Sequence, residues 1–196
     1  MDASPQCRPL TRADYRFDVV LAIVVFVGAL ISAALSSIAG VYGAEQQSSM
    51  GLAIGYAAVI SLPLAFRRRW PSVVAVIVAL AYFAAVSLRI PETFAGSIAM
   101  FVAIYTVGAW STDRRRARIV RVALIAGMFL WLLVTMFMQA TAPTDIGISR
   151  TGSFSPFVAV TLLNLMINAL YFGGAYYRGD RAWNSALQRA ALEQRT

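Results

Sequence analysis

The 196-residue chain contains no histidine, no lysine and a single cysteine. Without an imidazole it lacks the usual metal ligand, the usual general base and the phospho-acceptor of a histidine kinase. Cys7 has no partner in the chain, so no internal disulfide forms. Charged residues make up only 13% of the sequence, against about a quarter in soluble domains. Hydrophobic residues make up 59%. Whole stretches carry no charge: 19–44, 46–66, 70–88, 93–112, 122–144 and 151–177. The absence of acids and bases there weakens a pump or exchanger reading, because coupled transporters mark their pathway with such groups. No nucleophile with a base and no carboxylate metal site presents itself, so neither an enzyme nor a cofactor is expected.

What the sequence does have is length in its apolar runs. Each is close to or above the ~20 residues that a helix needs to cross hydrocarbon. They are continuously apolar rather than alternating with period two, which excludes barrel strands. The expected fold is all-α and polytopic, with six transmembrane helices at 19–41, 50–66, 71–88, 94–110, 119–138 and 157–177. A loosely ordered polar leader, 1–18, precedes them, and a cytoplasmic helical linker, 179–196, follows. Ser37-Ile38-Ala39 has the small residues of a signal-cleavage site. The apolar run ahead of it is long and the charged leader extended, so the first helix reads as an anchor.

All 17 basic residues are arginine and the net charge is +8. They fall in the breaks between apolar runs rather than along one surface, which argues against a nucleic-acid partner. With the N-terminus inside, Arg8, Arg12, Arg16 and the corner Arg67, Arg68 and Arg69 lie on one side. Arg114, Arg115, Arg116, Arg118 and Arg121 join them, as do Arg178, Arg181, Arg189 and Arg195. Only Arg89 and Arg150 lie on the other side. This bias predicts a multi-pass plasma-membrane protein with both termini cytoplasmic. Arg67–Arg69 with Trp70, and Trp110 with Arg114–Arg116, are the expected topology anchors. A guanidinium keeps its charge, so the corner is expected in water or among headgroups, with Arg121 snorkelling toward them.

Small and polar residues supply the remaining signals. Gly28, Ser32, Ser36 and Gly40 recur every fourth position on the first helix, and Gly51 and Gly55 repeat the device on the second. Two readings stand: packing within the bundle, or a dimer seam. Pro63 is expected to tighten the end of the second helix. Asn164 and Asn168 share a face of the sixth helix, with Tyr171 one turn on. They read either as interhelical glue of about 0.6–2 kcal/mol or as a polar contact with two states. Trp131, in mid-helix, either fills volume or faces lipid. The segment 139–155 is too short for a core of its own, so any stimulus is small or arrives through the bilayer. Trp183, Leu187 and Ala190 recur at helical spacing and read as a signal exit, the opening of an amphipathic or coiled-coil helix.

Leu62-Pro63-Leu64-Ala65 before the arginine corner, and Trp70-Pro71 after it, resemble the membrane part of actinobacterial sensor histidine kinases of the NarL/DesK-like class. Tyr105-Thr106-Val107-Gly108-Ala109 leading into Asp113-Arg114-Arg115-Arg116 resembles their second cytoplasmic turn. Arg181–Arg195 is similar to the linker into their dimerisation helix. The resemblance implies an input domain of a two-component phosphorelay, a homodimer, a kinase core and a response regulator as partners. It carries over no catalytic residue, since the histidine-bearing helix and ATP-binding domain of that class are missing from this sequence. A stand-alone membrane scaffold or modulator is the alternative, and a reading frame continuing past Thr196 would favour the sensor. A passive transporter for a neutral solute would require a continuous polar cavity.

Overall fold

Caps draw charged residues into the helices and so move most boundaries away from the edges of the apolar runs. The computed structural model describes residues 11–39, 48–92, 94–140 and 156–193. These form six α-helices. The first, α1 (Arg12–Ile38), begins with a reciprocal cap: Thr11 Oγ1 accepts the Asp14 N–H, and the Asp14 carboxylate accepts the Thr11 N–H at 3.0 Å. Residues 12–18 are therefore helical and not a loose leader. In α2 (Met50–Ser61) the Ser49 hydroxyl accepts the Leu52 N–H, and Pro63 then tightens Leu62–Phe66 into a 3₁₀ turn.

Pro71 opens α3 (Pro71–Ser87), where a missing N–H costs nothing. That helix closes through a left-handed Arg89, φ 53°, with the Ile90 N–H donating to the Ala85 carbonyl. Glu92 caps α4 (Ala95–Trp110). Asp113 Oδ1 accepts the N–H groups of Arg115 and Arg116, which makes the second arginine cluster the first turn of α5 (Arg114–Ala140). The last helix, α6 (Pro156–Glu193), runs 38 residues without a break at Gly179. The expected separate linker is its continuation.

At the centre, α4 packs on α6 most extensively, then on α3, and also touches α1 and α5. Ala99, Met100, Ala103, Ile104 and Val107 are buried along it. The neighbouring helices contribute mainly alanines, among them Ala29, Ala33, Ala57, Ala75 and Ala79, which let backbones approach closely. On α1 the buried seam is Ala22, Val25, Ala29, Ser32, Ala33 and Ser36. A strict fourfold stripe drifts off a 3.6-residue seam. Ser32 and Ser36 therefore pack inside, while Gly28 is exposed and a Cβ there meets nothing within 4 Å. Gly51 and Gly55 are exposed as well, so neither helps to pack the bundle within one chain. Gly40 and the side chains of Asn164 and Ala190 lie outside the described residues.

Among the described residues one helix, α1, is long and apolar enough to cross a membrane, and it meets the requirements of an anchor or of a signal sequence. Met50–Phe66, Pro71–Ser87 and Ala95–Trp110 are apolar but no longer than 17 residues.

Candidate functional site

Two features of opposite character sit at the two ends of the bundle, and α6 touches both. At one end is a band of buried ion pairs. Arg67 is only 7% exposed and Asp18 2%, and they meet through Nε at 2.9 Å and Nη2 at 2.9 Å. Arg67 also donates to Thr106 Oγ1 on α4 at 3.5 Å. Its neighbour Arg68 reaches Asp18 at 2.9 Å, pairs with Asp14, and lies 4.7 Å over the Trp110 ring. The corner, expected in water or among headgroups, is therefore partly drawn into the protein instead. Two of its three guanidiniums turn inward to α1 carboxylates, because paired charge tolerates burial that lone charge does not. Arg69 alone stays exposed, 5.2 Å over the exposed Trp70 ring.

The band continues across α5 and α6. Arg121 is 1% exposed and does not snorkel: Nη2 donates to Asp180 at 2.8 Å, Nη1 to the Tyr176 carbonyl at 3.1 Å, and its guanidinium lies 4.0 Å over the Tyr176 ring. Arg114 shares Asp180, donates to the Gly108 carbonyl at 2.7 Å and stacks 4.9 Å over Trp183. Burial of Asp180 pushes its pKa up, but the bonds from Arg121 and Arg114 outweigh that and hold it below 3.8. Trp183, read from sequence as part of an exit face, is 7% exposed beneath Arg114, whereas Leu187 is 39% exposed. Arg115 and Arg116 remain exposed. Asp14, Asp18 and Asp180 were missed as partners, since they lie up to 66 residues from the arginines they hold.

At the other end, α2, α3, α4 and α6 enclose a cavity of about 420 Å³. Its polar wall is Tyr56, Tyr82, Glu92, Ser97, Asn168 and Tyr171. Phe94, Ile98 and Ile167 form an apolar rim, 72%, 44% and 57% exposed. Glu92 is 9% exposed, and its two oxygens accept the N–H groups of Phe94 at 2.8 Å, Ala95 at 2.6 Å and Gly96 at 2.9 Å. Gly96 is required there, because a Cβ would lie 2.3 Å from the Tyr56 hydroxyl. Tyr171 also packs edge-on against Phe101, centroids 5.5 Å apart, which fixes α6 against α4. Asn168 thus belongs to a cavity wall. Trp131 packs on Phe83 at 5.8 Å, consistent with the volume-filling reading. Glu92 carries no signal in the sequence, because its short loop has no periodicity.

Among the described residues no three His, Cys, Asp or Glu side chains converge as a metal site. The chemistry available is charge pairing at one end and a half-polar, aromatic cavity at the other. A family model described as a domain of unknown function (DUF7134) matches residues 8–181. No curated protein and no solved structure matches the chain.

Proposed function

We propose a function for a chain that belongs to the DUF7134 family, a domain of unknown function: it is a multi-pass membrane input domain. The signal enters at the cavity and leaves along α6. The observation that carries this reading is the continuity of α6, which bears Asn168 and Tyr171 in the cavity wall and Gly179, Asp180 and Trp183 in the charged band. Nine residues separate Tyr171 from Asp180, about 14 Å along the helix. A ligand that favours one packing at Tyr171 biases the position of the band as well.

The side-chain distribution on the five helices around α4 supports a bilayer around the bundle. Polar and small groups face inward on α1, while Val20, Ile23, Val24, Ile31 and Leu35 face outward, each more than half exposed. The same inversion recurs with Leu52 and Leu62, with Val73 and Leu80, and with Leu130 and Leu133. Leu163, Met166, Ile167 and Leu170 repeat it on α6. Water would penalise such surfaces, at about 25 cal/mol for each Å² of apolar area left exposed, whereas lipid does not. The short helices α3 and α4, of 17 and 16 residues, reach about 24–26 Å and sit at the short end of the spanning range, with local thinning of the bilayer making up the difference. The ion-pair band then lies at the cytoplasmic boundary, where the arginine excess belongs.

By the resemblance stated above, the output is a paired cytoplasmic helix serving a histidine-kinase core and its response regulator. A stand-alone modulator of another membrane protein is the second reading, and α6 would serve it equally. Single cysteines at positions 184–192 in a Cys7→Ser background test the paired exit. Crosslinks between two copies are expected at Leu187 and at positions one turn away. If no position links two copies in membranes, α6 is not a paired exit.

A further inference from the structure

The chain carries a net charge of +8, yet among the described residues the formal charge lining the cavity is negative. Glu92 is the sole ionisable acid in that wall, and no arginine lines it among the described residues. Four aromatic residues share the lining: Tyr56, Tyr82, Phe94 and Tyr171. An aromatic ring presents a negative face, so rings grouped around a carboxylate favour a cation and disfavour an anion. The carboxylate's oxygens already accept three backbone N–H groups. What remains for a ligand is chiefly the charge. At the Glu92 end of the cavity charge and ring contact therefore dominate, which fits an alkylated ammonium. The rim of Phe94, Ile98 and Ile167 is apolar and exposed, so the ligand's body is apolar too. The volume of about 420 Å³ falls in the range of small-molecule sites.

We propose that this cavity binds an amphipathic alkylated ammonium, with its charged head between Glu92 and the tyrosine rings and its apolar body against Ile98 and Ile167. The proposal deepens the input reading and rests on it for the bilayer as route of entry. Two sources share this chemistry: the choline headgroup of a lipid and a free quaternary amine.

The test uses the full chain in phosphatidylglycerol nanodiscs, which hold no ammonium headgroup. Binding of phenyltrimethylammonium is measured by titration calorimetry, with empty discs subtracted. One saturable site per chain is expected, weakened about tenfold or more by Glu92→Gln and abolished by Ile98→Trp, which fills the mouth. The neutral isostere tert-butylbenzene does not compete. Because Glu92 also caps α4, thermal unfolding accompanies that variant, and Ile98→Trp with the neutral competitor carries the test if it unfolds. Phosphatidylcholine or an uncharged glycolipid, mixed into the discs at equal surface charge, separates the sources: a weaker apparent affinity in phosphatidylcholine identifies the lipid headgroup as occupant, and an equal one a free ammonium. Absence of a saturable site, equal binding by wild type and both variants, or displacement by tert-butylbenzene overturns the proposal. The α6 crosslinks involve no ammonium, so this failure and failure of the exit reading are told apart.

Discussion

Gly108 on α4 and Gly179 on α6 meet backbone to backbone: a Cβ on Gly108 would lie 2.9 Å from the Gly179 Cα. It would also lie 2.5 Å from Arg121 Nη1. This close crossing and the buried Arg121 guanidinium are therefore one arrangement. The crossing sits one residue before Asp180, which belongs to the ion-pair band.

Gly108→Ala consequently has to push α6 and Arg121 away together. Overpacking of this kind costs about 1–3 kcal/mol. Gly55→Ala meets open space and, in a helix interior, is neutral or stabilising by up to ~1 kcal/mol. Reversible unfolding in mixed detergent micelles measures both. Equal effects at the two positions would contradict the crossing.

The two buried pairs differ in their access to water, and their deletions rank accordingly. Asp18 is 3% exposed by side chain and Arg67 9%, so Asp18→Asn strands a buried guanidinium at a cost of about 3–5 kcal/mol. Asp180 is a third exposed, and Arg121 keeps the Tyr176 and Ala117 carbonyls and the Tyr176 ring when it is lost, leaving about 2 kcal/mol for Asp180→Asn. Unfolding of both variants under one condition gives the order directly. Asp180→Asn proving the more damaging would contradict the burial argument.

The depressed carboxyl of Asp180 sets a direction with pH. A group whose folded pKa lies below its unfolded 3.8 stabilises the fold fully above that value. The contribution is lost as pH falls through the folded pKa. Trp183 lies under Arg114, which shares Asp180, so its emission reports the band. With the other three tryptophans replaced by phenylalanine, emission is expected to hold steady from neutral pH to about 4 and to shift below it. Asp180→Asn removes the transition. A shift centred near neutral pH would contradict the assignment.

Helix number and class were legible because absence of charge is a strong signal over twenty residues. Boundaries were not, since the charged residues outside the apolar runs are helical for local reasons that patterning does not register. The cap of Thr11 on Asp14 extends α1, and Asp113 opens α5 five residues before Ile119. The linker expected from 179 onward is continuous with α6, and the missing Cβ of Gly179 serves a helix crossing. Arg67 and Arg121 read as solvated because their partners are distant in sequence, 49 and 59 residues away. Asn168 was visible as a polar group in an apolar run. Glu92, which shares its cavity, hid in a five-residue turn.

The central claim is that the ion-pair band and the cavity lie on opposite sides of a bilayer. Single cysteines replace Phe94, Arg69 and Leu187 in a Cys7→Ser background, and a membrane-impermeant maleimide is applied to intact cells. The account predicts labelling at Phe94→Cys at once, and at Arg69→Cys and Leu187→Cys only after permeabilisation. Labelling of Arg69→Cys in intact cells, or equal labelling of all three, would contradict it.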